Sequence, residues 1–160
     1  MGFKFRPLLY ISVLFILIAC KKEEPTPVAP LNQAPKPAQA AMLYISAFSE
    51  FPAEIEGCSC NFSNDSLDYS AQKFIYMNDF KQTSFLKVNG VLTKFTETSR
   101  KDVDSLNVIS TYNNTDYEMI IEMEDKGKHG PESSIKTGTI KLTDKNGKTL
   151  EKAFYGECGC

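Results

Sequence analysis

Two Cys-x-Cys pairs bracket the segment of this chain that is able to fold. Cys58-Ser59-Cys60 lies near its start, and Cys158-Gly159-Cys160 forms the last three of the 160 residues. On an extended strand, residues i and i+2 point to one face. If the first and last strands of a sheet run antiparallel side by side, Cys58 falls opposite Cys160 and Cys60 opposite Cys158. Directly opposed Cα atoms lie ~4.5–5.5 Å apart, within the ~4.4–6.8 Å that a disulfide spans, so both bridges can close at once. A parallel arrangement gives Cys58–Cys158 and Cys60–Cys160 instead. We expect the antiparallel pairing; in either, the start of the domain is fastened to its end. The first bridge closes a loop of about 100 residues, worth up to ~4.7 kcal/mol in the chain-entropy treatment. The second adds little loop entropy and mainly fixes register.

Two other uses of four sulfurs compete with this one. As thiolates they can hold zinc or copper. Structural zinc sites space paired ligands by two to four residues, so that a tight knuckle aims both sulfurs inward. Cys-x-Cys on a strand separates the Cα atoms by ~6.7 Å, and a metal site needs the chain to bend at Gly57 and Gly159. A redox-active dithiol is usually Cys-x-x-Cys at a helix start, a pattern this sequence lacks.

The residues between the pairs favour strands. Tyr117, Met119, Ile121 and Met123 alternate with Glu118, Glu122 and Glu124, Ile120 being the exception; this is the period of a strand with one buried face. Asn89-Gly90 supplies the positive φ of a two-residue type I′ hairpin, which sets Val88 against Val91 and Leu86 against Thr93. Asn146-Gly147 joins the last two strands. A two-residue loop there opposes Lys145 and Lys148, which repel. The three-residue loop Lys145-Asn146-Gly147 instead pairs Asp144 with Lys148, Leu142 with Leu150 and Lys141 with Glu151. Further strands are expected over residues 55–62, 74–77, 106–112 and 134–144. Residues 63–73 read as a short helix or loop, and residues 42–52 as either helix or strand. The fold class expected is all-β, a small antiparallel barrel or sandwich with its first and last strands clasped by two disulfides.

The chain upstream of residue 42 is of a different kind. Lys4 and Arg6 precede an apolar run from Leu8 to Ala19, the layout of an export signal. As a helix this run rises about 18 Å, short of the ~30 Å hydrocarbon core. Leu17-Ile18-Ala19-Cys20 resembles the lipobox of bacterial lipoproteins. The resemblance covers residues 1–24 and implies that residues 1–19 are removed and that Cys20 becomes the acylated N-terminus. Membrane attachment through acyl chains follows, since each buried CH₂ contributes about 0.8 kcal/mol. Lys21-Lys22-Glu23-Glu24 resembles a surface-export signal of lipoproteins in one group of Gram-negative bacteria, so the cell surface is expected over the periplasmic face of the outer membrane. Residues 25–41 carry Pro25, Pro27, Pro30, Pro35 and Pro37. Proline excludes helix and central strand, leaving an extended tether of ~3.1 Å per residue. The expected organisation is therefore a signal peptide over 1–19, a lipidated cysteine and tether over 20–41, and one β domain over 42–160.

Other functional signals are weak. The 18 basic and 20 acidic residues give a net charge of −2, which excludes a nucleic-acid binder driven by phosphate neutralisation. His129, the only histidine, sits in Gly127-Lys128-His129-Gly130-Pro131 and reads as an exposed loop tip without a partner. Asp102-Val103-Asp104-Ser105-Leu106-Asn107 begins like a calcium loop but lacks its later glycine and glutamate, so it reads as a polar turn. Glu118, Glu122, Glu124 and Asp125 form an acidic edge that suits a solvated strand face better than a glycosidase pair. The expected function is a non-catalytic binding or structural module with no cofactor and an unidentified ligand. A zinc or copper protein using the four domain cysteines is the alternative, and an envelope hydrolase a weaker one. Replacing Cys20 by Ser is expected to abolish labelling by radioactive palmitate and release the protein from membranes. Alanines at residues 21–24 are expected to leave labelling intact while reducing digestion by protease added to whole cells.

Overall fold

The computed structural model describes residues 42–160; Cys20, Lys21–Glu24 and the proline-rich stretch lie outside the described residues. The described residues form eight strands: β1 Ser59–Ser63, β2 Phe74–Asn78, β3 Thr83–Val88, β4 Val91–Asp102, β5 Asn107–Asn113, β6 Tyr117–Gly130, β7 Ser133–Asp144 and β8 Thr149–Gly159. Each pairs antiparallel with the next, and β8 returns to pair with β1, which closes a barrel rather than a sandwich. One short helix, α1 (Ser66–Ser70), lies between β1 and β2 and is capped by Asp65, whose carboxylate accepts from the Leu67 and Asp68 amides.

The clasp is antiparallel. Cys60 sits opposite Cys158 in the β1–β8 register, and Cys58 and Cys160 continue it just past the last pair. Disulfides join Cys58 to Cys160 and Cys60 to Cys158, with Cα separations of 4.1 and 4.0 Å. Both hairpins keep the expected register: Val88 faces Val91 and Leu86 faces Thr93, while Leu142 faces Leu150 and Lys141 faces Glu151. In the second hairpin the Asp144 amide donates to the Lys148 carbonyl at 2.9 Å, and Gly147 holds φ +80°.

Alternation along the strands fills the barrel. Phe62, Tyr76, Leu86, Phe95, Tyr112, Met119, Ile121, Ile140, Leu142 and Phe154 are buried in one cluster. Phe62 stacks between Tyr76 and Phe154, with ring centroids 5.1 and 4.1 Å away. Gly156 makes room for this stack: a Cβ there would collide with the Asn61 carbonyl and the Phe62 ring. On the opposite face of the sheet Glu118, Glu122 and Glu151 are exposed, so charge lies outside and apolar surface inside, the reverse of a lipid-embedded barrel. Among the described residues no helix is long and apolar enough to cross a membrane.

Three stretches differ from the sequence expectation. Residues 42–52 are neither helix nor regular strand. Ile45 bridges to Val88 and Phe48 to Phe74, so the segment wedges into the seam where β2 and β3 part. Its Leu43 and Ile45 side chains join the main cluster and plug that end of the barrel; burial of each contributes about 1.5–3 kcal/mol. Phe48 packs outside against Phe74 and Met77, which is why β2 is buried on both faces. The first strand begins at Ser59 rather than residue 55, because Gly57 turns at φ +80°. The expected loop tip at His129 is strand: β6 runs on to Gly130, and Gly127 and Gly130 sit at two bulges against β7 while the turn falls at Pro131-Glu132.

Removing both disulfides is expected to cost about 2–5 kcal/mol, the usual penalty in a small secreted domain. Removing either one should cost less, because the other closes nearly the same loop. Cys60 and Cys158 are buried, while Cys160 is exposed and Cys58 half-buried, so mild reductant should open Cys58–Cys160 first. Urea unfolding of the serine variants and non-reducing peptide mapping check both outcomes; four free thiols with one stoichiometric metal would overturn the clasp.

Candidate functional site

The two ends of the barrel differ. One is plugged by Leu43 and Ile45. The other, bounded by the β2–β3, β4–β5 and β6–β7 turns and by the disulfides, opens into a cavity of about 510 Å³. That volume lies within the ~300–1,000 Å³ of small-molecule sites. Cys60, Asn78, Val108, Met123 and Cys158 line its wall, and Phe80 and Leu106 stand at its lip, exposed to solvent. Asn78 is fixed by its side-chain oxygen, which accepts from the Cys60 amide at 3.0 Å.

A bulge turns Arg100 toward the lumen. Along β4, Phe95 and Glu97 face the lumen, and strict alternation would put Ser99 there next. The register shifts between Glu97 and Ser99, so Glu97 pairs with Tyr112 but Arg100 pairs with Ser110. Ser110 and Tyr112 are both buried inward positions of β5. Arg100 consequently lines the cavity instead of the outer face. Bulges beside binding sites commonly re-aim a side chain in this way.

Under the cavity lies a void of about 10 Å³ bounded by Phe62, Tyr76, Ser110, Tyr112 and Ile121, with Arg100 and Asn78 shared between the two. Its size is roughly that of one water molecule. The Ser110 hydroxyl, on a residue 4% exposed, has no hydrogen-bond partner among the described residues, whereas the Tyr76 hydroxyl sits among the polar groups of Tyr112, Asn78 and Ser84. A buried, unpaired hydroxyl costs about 1–3 kcal/mol, so this floor holds polar capacity that the barrel does not itself use. Burial raises the Tyr76 phenol well above its ordinary value, and it raises Tyr112 too, with the Glu97 carboxylate adding to the effect. Both therefore remain neutral donors at physiological pH.

The charges at the mouth are unevenly engaged. Lys136 meets Asp125 at 2.6 Å, and this hydrogen bond, with one from the Gly127 amide, holds the Asp125 carboxyl below its usual range. Asp125 thus belongs to the mouth and not to a solvated acidic edge, whereas Glu118 and Glu122 face outward as expected. Glu97 faces the Tyr112 hydroxyl. Arg100 and Lys81 form no ion pair with any described residue.

A second cluster lies on the outer wall. Glu157 meets the His129 Nδ1 at 3.2 Å and accepts from the Tyr69 hydroxyl at 3.1 Å. Ser133, His129 and Tyr69 together hold the Glu157 carboxyl below its usual range, the Ser133 bond most strongly. The partner that the sequence left His129 without comes from β8, across β7. No described nucleophile is hydrogen-bonded to the other ring nitrogen, and the cluster tethers β6, β8 and α1. The four domain cysteines are all in disulfides, a state in which none is a thiolate ligand. Asp104 folds into its own turn, accepting from the Leu106 and Asn107 amides. No protein-family model, characterised protein or solved structure matches the chain.

Burial and the adjacent Glu157 push the Tyr69 phenol up to about 12. Its folded value lies above the unfolded value near 10, so its stabilising contribution is complete below pH 10 and is lost as pH rises through the folded value. Titration of tyrosinate absorbance should lose one late-titrating group in Tyr69→Phe. In Glu157→Gln that group should move down yet stay above 10, because burial is the larger cause.

Proposed function

We propose that this chain is a lipid-anchored envelope protein whose barrel is a receptacle for a small molecule, without catalytic chemistry of its own. The observation that carries the binding reading is the asymmetry of the lumen. Aromatic and aliphatic side chains fill one end, while the other keeps a cavity of about 510 Å³ with the unpaired, buried Ser110 hydroxyl at its floor. Eight-stranded barrels are just wide enough either to fill with side chains or to hold one small ligand; this barrel divides its length between the two. The lumen-facing Glu97 and Arg100 keep contact with solvent at this end, where a ligand can reach them.

The anchoring part of the reading rests on the lipobox-like Leu17–Cys20 and the apolar run before it. The described chain enters the barrel at its plugged end, where Tyr44 and Asn89 exchange hydrogen bonds. The disulfide clasp suits an oxidising compartment. A metal role for the four domain cysteines requires both disulfides reduced, and thiol titration with metal analysis separates it from the receptacle.

The test is occupancy of the cavity. The mature chain, residues 20–160 with Cys20→Ser, is expected to bind one equivalent of the neutral dye N-phenyl-1-naphthylamine with enhanced fluorescence. Val108→Trp, which fills the cavity from β5, should reduce this binding at least tenfold while the thermal unfolding midpoint and both disulfides persist. Equal binding in the plugged variant, or none in wild type, would overturn the receptacle.

A further inference from the structure

We propose that the receptacle selects organic anions, small molecules with an apolar body and one acidic group, and that Arg100 is the residue that reads the acid. The inference rests on the receptacle reading above and adds the chemical class of its ligand.

Four observations converge. First, Arg100 borders both the cavity and the void at its floor, and it is also exposed to solvent. Its inward placement depends on the β4 bulge; without that extra residue the same side chain would stand outside in water.

Second, Arg100 has no ion pair of its own among the described residues, and the one close ion pair of the site joins Lys136 to Asp125. Asp125 is held by Lys136 and Glu97 faces Tyr112. Glu132 stands on the exposed β6–β7 turn, where its carbonyl accepts from the Cys160 amide. Arg100 and Lys81 have no carboxylate among the described residues. Arg100 is thus the cation beside the apolar wall that is left for a ligand's acid.

Third, the floor around Arg100 offers neutral donors. The Ser110 hydroxyl is buried without a partner, and the Tyr76 and Tyr112 hydroxyls lie beside it around the same void. Hydroxyls and a guanidinium fork are the groups that bind carboxylate or sulfonate oxygens with charge-assisted hydrogen bonds.

Fourth, the walls favour an apolar body. Val108, Met123 and the Cys60–Cys158 disulfide line the cavity, with Phe80 and Leu106 at the lip. A bare inorganic anion would leave this surface wet.

The experiment compares two dyes with the same apolar body, 1-anilinonaphthalene-8-sulfonate and N-phenyl-1-naphthylamine, which differ only by the sulfonate. On the oxidised mature chain carrying Cys20→Ser, the sulfonate is expected to bind at one equivalent per barrel, at least tenfold more tightly than the neutral dye. Raising salt should weaken only the sulfonate. Arg100→Gln should remove the preference, weakening the sulfonate at least tenfold while the neutral dye keeps its affinity, and Arg100→Lys should restore part of it. Retained neutral-dye binding shows that the Arg100 variants are folded with the cavity intact. Equal affinity for the two dyes in wild type, or a sulfonate affinity unchanged in Arg100→Gln, would overturn the anion assignment while leaving the receptacle standing. Loss of both dyes from wild type would instead overturn the receptacle, and the anion assignment with it.

Discussion

The barrel depends on one seam. β1 has five residues and must pair with both β2 and β8 to close the sheet. A strand that short makes few ladder hydrogen bonds, and its first residues lie at the open mouth, where fraying starts. The two disulfides fall at this weak point, joining the last residues of β8 to the start of β1. Sheet edges that are not closed are templates for pairing with other chains; here closure is covalent. The same bonds have a second consequence. The cavity wall at Cys60–Cys158 cannot open without breaking an S–S bond, so the site is rigid on that side and its adaptability rests with the turns carrying Phe80, Leu106 and Glu132.

Most of this architecture is legible in the chain because its determinants are local or symmetrical. The hairpins at Asn89-Gly90 and Asn146-Gly147 fix register through turn chemistry and cross-strand pairs within a few residues. The clasp is non-local, but its two halves have the same spacing and terminate the domain, so antiparallel geometry alone matches them. What escapes a linear reading is the plug. Leu43 and Ile45 alternate like strand residues, yet they pair only through single bridges in a gap that exists because β2 and β3 diverge. Nothing within residues 42–52 encodes that gap. The glycines around His129 mislead for a related reason: they serve as bulges in a long twisted hairpin, and bulge and loop draw on the same residue.

The candidate site was hidden more thoroughly than the fold. Arg100 lies in Glu97-Thr98-Ser99-Arg100-Lys101-Asp102, a run without apolar alternation, so no phase can be read from it. The one-residue shift that turns Arg100 inward appears only in the pairing of β4 with β5. Asp125 looked like one more member of an acidic edge, but odd-numbered β6 residues face the lumen, and it follows Met119, Ile121 and Met123 inward. That alternation was present in the sequence, and carrying it two residues further would have placed Asp125 at the mouth. The His129–Glu157 contact spans β7, and neither residue carries a local sign of the other.

Why the cavity lies at the disulfide end follows from side-chain volume. The inward positions of the plugged half carry Phe95, Met119, Leu142, Ile140 and Leu86, with Leu43 and Ile45 added from outside the sheet. At mid-height the Phe62, Tyr76 and Phe154 rings stack across the lumen, an arrangement that Gly156 permits beside Phe62. Above the rings the inward residues become small or polar: Ser110, Asn78, Ser134 and the compact Cys60–Cys158 bridge. Eight strands fix the barrel's width, so reducing side-chain volume at one level leaves space there instead of drawing the walls together. The aromatic layer then closes the cavity from below, and the unpaired Ser110 hydroxyl beside it gives that floor a polar group. Filling the upper half with leucines would stabilise the domain by the same burial that holds the lower half, at about 25 cal/mol per Å². The sequence places serine, asparagine, glutamate and arginine there instead, so that burial is forgone at one defined end of a covalently closed barrel, the pattern on which the proposed receptacle rests.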